Sequence, residues 1–130
     1  MPTVKRRPPH AFLGKTILVF TAHPDDETFG MAGTIWKNQA MGGRTFVICA
    51  TYGEKGSSHL SRPVSETRLK AIRKQELMQA ARFLKASRVY PLNLPDGKLR
   101  SLGQRLFGEG LRIARKINPD AILSFGRFGM

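Results

Sequence analysis

Along the chain, short runs rich in β-branched and aromatic residues alternate with longer stretches whose apolar positions recur every three or four residues. Thr16 to Ala22 (TILVFTA) reads as a buried strand. Thr28 to Met41 reads as a helix, stopped by Gly42-Gly43. Arg44 to Thr51 (RTFVICAT) is a second buried strand, and Tyr52 to Pro63 a glycine- and serine-rich loop. Ser65 is placed to cap a helix running to about Leu84, with Leu69, Ile72, Leu77, Ala80, Ala81 and Leu84 along one stripe. A short strand follows at Arg88 to Leu92, and a Pro-Asp-Gly turn lies within Leu94 to Lys98. Ser101 to Asn118 has helical spacing, weakened by Gly103, Gly108 and Gly110. Ala121 to Phe125 is the last strand.

Strands that alternate with crossover-length helices predict an α/β fold: a Rossmann-like three-layer sandwich on a mainly parallel sheet. In such sheets ligands bind beyond the carboxyl ends of the strands. The segments that follow the four strands are His23-Pro24-Asp25-Asp26-Glu27, Thr51-Tyr52-Gly53-Glu54-Lys55-Gly56, Asn93-Leu94-Pro95-Asp96-Gly97 and Gly126-Arg127-Phe128-Gly129. All are polar or glycine-rich, and parallel topology brings all four to one edge. The pattern therefore predicts one site assembled from several loops.

With 130 residues there is room for one core only. Residues 1–14 read as a basic arm and 15–130 as the domain. The arm lacks the apolar segment of a secretion signal, no run approaches the ~20 apolar residues of a bilayer span, and a cytoplasmic location is the default expectation. The lone Cys49, inside an apolar run, is expected to be a small buried hydrophobe. Charge changes the picture more: 22 basic against 9 acidic residues give a net charge of +13. Such a balance suits acidic partners such as nucleic acid, anionic lipid or phosphate. It keeps open an alternative reading, a non-catalytic basic module for such partners. Against that reading, no aromatic residues interleave the basic segments, and no phosphate-binding glycine loop is present.

Carboxylates are scarce, yet Asp25, Asp26 and Glu27 stand in a row beside His23. Imidazole and carboxylate are good ligands for zinc and similar divalent metals. Adjacent carboxylates repel unless a cation or proton lies between them. Capping of the following helix would explain one aspartate but not the whole segment.

Ala22-His23-Pro24-Asp25-Asp26-Glu27 resembles the signature of the LmbE-like, or PIG-L, N-acetylglucosaminyl deacetylases. The resemblance extends over Thr51-Tyr52-Gly53-Glu54, Arg73-Lys74-Gln75-Glu76-Leu77, Leu92-Asn93-Leu94-Pro95-Asp96-Gly97 and the strand from Pro119-Asp120 to Gly126. It implies a zinc-dependent hydrolase that removes an N-acetyl group from an N-acetylglucosamine-containing small molecule or glycoconjugate. His23 and Asp26 would be metal ligands, and Asp25 the general base on metal-bound water. The third ligand would fall in a His-x-x-His motif beyond Met130, so the domain is expected to be incomplete at its C-terminus, metal binding weak, and an open sheet edge prone to self-association. For Glu54, Arg73 and Asp96 two roles stand: contact with substrate, or support of the site from behind. Arg73 and Glu76 would otherwise form a structural ion pair, Glu54 would brace its loop, and Asp96 would shape its turn. Arg68, His10 and His59 are expected to be solvated.

Overall fold

A computed structural model describes residues 12–23, 26–55 and 64–124, and for 26–30 the backbone alone. Seven elements alternate along it. They are β1 (Thr16–Thr21), α1 (Asp26–Ala40), β2 (Arg44–Cys49), α2 (Glu66–Phe83), β3 (Arg88–Pro91), α3 (Gly103–Ile117) and β4 (Ala121–Ser124). The strands form one parallel sheet in the order β3-β2-β1-β4. The expected α/β sandwich is therefore present, with β1 and β2 inside and β3 and β4 at the edges.

The period-two pattern of β1 divides the core. Ile17 and Val19 face Ile35 and Met31 of α1 and Leu84 at the end of α2. Leu18 and the partly buried Phe20 face Ile113, Ala114 and Ile117 of α3. Successive side chains of a strand point to opposite faces, so one strand serves both layers. Most positions of β1 and β2 are buried, as central strands of a parallel sheet should be, with Arg44 exposed at the start of β2.

Helix ends follow the local chemistry. Ser65 accepts a hydrogen bond from the Arg68 amide at 3.2 Å and caps α2. Gly42, at φ +83°, closes α1, with the Gly43 amide donating to the Asn38 carbonyl at 2.9 Å. Asn118 ends α3 in the left-handed region at φ 51°. α1 begins at Asp26, two residues ahead of the expected Thr28. Acidic residues suit a helix's first turn, but apolar spacing does not register them. Asp26 thus belongs to the helix rather than to the loop before it.

The strands are shorter than the apolar runs, yet the chain stays bonded beyond them. Past β2, the amides of Ala50 and Thr51 donate to the carbonyls of Thr21 and Ala22 at 3.0 and 2.9 Å. Past β3, the amides of Leu92 and Leu94 donate to the carbonyls of Cys49 and Ala50, both at 2.9 Å. These bonds hold the segments beyond three strands side by side, where the site is built.

At the opposite edge, the fully buried Asn38 ties α1 to the starts of β1 and β2. Its Oδ1 accepts the Gly14 amide at 2.8 Å. Its Nδ2 donates to the Lys15 carbonyl, the Arg44 carbonyl and Thr45 Oγ1 at 3.1, 3.3 and 3.0 Å. Cys49 is buried as expected, its thiol donating to the Thr51 carbonyl at 3.2 Å.

Candidate active site

β1 runs out into Ala22 and His23, and His23 emerges at the carboxyl edge of the sheet with its side chain about half exposed. Beside it, Thr51 closes the end of β2. Its hydroxyl donates to the Ala22 carbonyl at 2.9 Å and accepts the Gly53 amide at 3.1 Å. Gly53 takes φ +67°, a turn that aims Glu54 inward. Beyond β3, Asn93 at φ 55° and Gly97 at φ +78° frame a turn that carries Asp96.

The two carboxylates so delivered are almost fully buried, Glu54 at 8% and Asp96 at 7% exposure. Each leans on main-chain amides. Glu54 Oε1 accepts the Asp96 amide at 3.0 Å. Asp96 Oδ2 accepts the Lys55 amide at 2.9 Å, and Oδ1 accepts the Gly97 amide at 2.9 Å. Oδ1 also lies 2.9 Å from His23 Nε2. Hydrogen bonds to an ionised acceptor are the stronger kind, and they offset the cost of burying charge. Lys70 Nζ, from the second turn of α2, stands 4.0 Å from Glu54 Oε1 and adds a positive charge behind it. Glu54 Oε2 has no hydrogen-bond partner among the described residues. Nearer solvent, Lys55 Nζ bonds Glu66 Oε1 at 2.6 Å. That bond, and then the charge of Glu66, holds the Lys55 amine above its ordinary 10.5.

His23, Glu54 and Asp96 are thus brought into one connected cluster by three different strand ends. Arg73 donates to Glu76 Oε2 at 3.1 Å, the helical ion pair that their spacing suggests. Arg68 is exposed. Asp26 occupies the first position of α1, immediately past the same edge. Asp25, His10, His59 and the loop Gly126 to Gly129 lie outside the described residues. The separation of 73 residues between His23 and Asp96 hides their pairing from any local pattern. Thr51 and Lys55 lie in a loop that the sequence already assigns to this edge, whereas Lys70, on the solvent side of a helical stripe, carries no signature of its own.

Among the described residues, no group of three or more His, Cys, Asp or Glu side chains stands in metal-binding geometry. The donor chemistry nevertheless suits part of a metal site. His23 is an imidazole at the ligand-binding edge, with one ring nitrogen held by a carboxylate, the arrangement general for metal-bound histidines.

The model of PIG-L, "GlcNAc-PI de-N-acetylase", matches residues 18–130. The "Probable N-acetyl-alpha-D-glucosaminyl L-malate deacetylase 2" of Bacillus subtilis is 31% identical over 112 residues, covering 84% of this chain and 50% of that protein. The 4-oxalmesaconate hydratase of Pseudomonas putida is 33% identical over 116 residues, covering 85% and 43%. Among solved structures, an N,N'-diacetylchitobiose deacetylase from Pyrococcus horikoshii, complexed with its inhibitor, superposes with a TM-score of 0.74 at 34% identity, covering 82% of this chain and 39% of that one. The chain spans about half the length of the curated relatives it matches. With the matched region running through every strand of the sheet, this chain belongs to the PIG-L family of de-N-acetylases.

Proposed function

We propose that this chain carries part of the active centre of a zinc-dependent N-deacetylase acting on an N-acetylglucosamine-bearing small molecule or glycoconjugate. The observation that supports it best is the convergence of His23, Glu54 and Asp96 at the carboxyl edge of a parallel sheet, in a chain of the PIG-L family. His23 and Asp26 would hold the metal, with a further ligand from a motif that the resemblance puts beyond these residues. When bound, the metal would polarise the acetamide carbonyl and acidify water. Asp25 takes the proton from the attacking water. Pro24 biases His23 to an extended backbone, so the ligand and the base share one short, stiff segment. The basic balance of the chain, +13, favours an anionic group on the substrate. No described helix is long and apolar enough to cross a membrane. A cytoplasmic location remains the expectation.

The identity to a hydratase supports a second reading, in which the same base directs water to a carbon–carbon double bond. Both readings share Asp25 and differ in product. In a full-length version that supplies the further ligand, free amine released from N-acetylglucosaminides, dependent on zinc and lost in Asp25→Asn, is the expected result. Amine release that survives Asp25→Asn would refute the role of the base. Hydration of an unsaturated dicarboxylate without amine release would favour the second reading. Retention on nucleic acid that falls steeply with salt, without either activity, would favour the basic binding module.

A further inference from the structure

α1 is apolar on more than its core side. Met31 and Ile35 pack into the core, yet Trp36 is 48% exposed and Met41, just past the helix, 54%. A helix that is apolar beyond one stripe calls for a second cover. Across from Trp36 stands Phe83, the last residue of α2 and 71% exposed, with the two rings 5.5 Å apart at 66°. Both belong to a groove of about 280 Å³ between the helices, lined otherwise by Ala32, Gly33, Ala80 and Leu84. Single exposed apolar residues are ordinary, whereas a contiguous apolar groove with an aromatic pair marks a contact surface.

The charge around the groove is of one sign. From Thr28 to Gly53 and from Leu77 to Pro95 the sequence contains no Asp or Glu, but five cations: Lys37, Arg44, Arg82, Lys85 and Arg88. All five are exposed, and none joins an ion pair among the described residues. Arg44 and Arg88 lie over the rings of Phe46 and Tyr90, which pack with α3 on the other face of the sheet. Lys37 belongs to α1, and Arg82 and Lys85 to the end of α2. Cations in a last turn also suit the helix dipole. The dipole explains Lys37 and Arg82 singly, but not the aromatic pair beside them or the lack of any acid. Helices that connect parallel strands run back against them, so these helix ends lie at the amino edge, away from His23, Glu54 and Asp96.

From this juxtaposition we infer that the Trp36–Phe83 face, with Lys37, Arg82 and Lys85, is a docking surface for an anionic phospholipid bilayer. Aromatic rings settle at the headgroup level of a bilayer, and neighbouring lysine and arginine attract anionic headgroups. A second copy of the chain would set these cations against their own equivalents. Nucleic acid would pair with the cations but leave the groove in water. Docking by this face leaves the candidate active site at the other edge of the sheet, so the inference is independent of the reaction there.

Trp36 is the sole tryptophan of the chain, and its emission therefore reports on this surface directly. The test titrates the 130-residue chain with vesicles of phosphatidylcholine alone and with vesicles that also contain phosphatidylglycerol. The anionic vesicles alone should shift Trp36 emission to the blue, brominated acyl chains should quench it, and salt should weaken the binding. Lys37→Gln, Arg82→Gln and Lys85→Gln should each lower affinity about fivefold. Lys98→Gln, Arg100→Gln and Arg105→Gln remove the same charge from the exposed turn beyond β3 and the start of α3, and should leave it nearly unchanged. Emission that anionic vesicles leave unshifted in the wild type, where no variant has to fold, would overturn the inference. Equal losses from the two sets of variants would also overturn it, since net charge alone would then suffice. A blue shift that grows with protein concentration in the absence of lipid would replace the bilayer with a second copy. Retention on duplex DNA without any response to vesicles would replace it with nucleic acid.

Discussion

The edge of the Phe20 ring lies where a side chain on Gly110 would begin: a Cβ built there falls 2.8 Å from Phe20 Cε2. α3 therefore approaches β1 through a glycine, and Phe20 occupies the space this leaves. Gly110 looks like a defect in helix propensity and is instead a packing requirement. Gly108, two residues away and exposed, has nothing within 4 Å of the corresponding position. The two glycines should respond oppositely to alanine. Gly110→Ala is expected to cost about 1–3 kcal/mol through overpacking. Gly108→Ala should stabilise by roughly 0.5–1 kcal/mol through helix propensity. Urea unfolding of both variants checks the contrast, and equal effects would contradict it.

Asn38 spends its amide on four groups, two on the chain just before β1 and two at the start of β2. Asn38→Leu matches it roughly in size but makes none of these bonds, so it should destabilise by about 1–3 kcal/mol for each buried group left unpaired. Asn38→Asp should also be damaging. A carboxylate oxygen would then face the carbonyls of Lys15 and Arg44, which the amide now bonds. Denaturation midpoints at constant m-value would measure both.

Glu54 offers a comparison of a lost bond with a lost charge. Glu54→Ala leaves the Asp96 amide without its acceptor and should cost about 1–3 kcal/mol. Glu54→Gln keeps that acceptor and should cost clearly less. If the two variants unfold at the same denaturant concentration, the charge beside Lys70 matters more than the bond to Asp96.

Burial, and secondarily a charge on Cys49, pushes the Tyr52 phenol above its ordinary 10.0. Above pH 10.0 the unfolded chain loses this proton before the folded one does. The native state then binds more protons, and stability falls as pH rises. The contribution is fully present below the unfolded value and is lost as pH climbs through the folded one. Tyr52→Phe removes this component, so its unfolding free energy should fall less steeply than the wild type's over the alkaline range. Parallel curves would show that Tyr52 titrates normally.

Much of the fold was legible because its signals are local. Alternation of apolar period placed every strand and helix, Ser65 marked the start of α2, and Gly42-Gly43 the end of α1. Parallel topology then put the ends of the strands on one edge, and with them His23, Glu54 and Asp96. The start of α1 was misplaced by two residues because acidic first turns have no apolar period.

Taken alone, the amino-acid order determined the layered parallel architecture and singled out the segment His23 to Glu27 as the candidate chemical centre. Both follow from residue types and spacings within a few turns of chain. Only the tertiary structure decided that Asp96 holds His23, that Glu54 holds Asp96, and that Gly110 lets α3 close onto Phe20. Each of these depends on ångström-scale distances between residues far apart in sequence. Such distances are set by how the elements pack, and no local pattern encodes them.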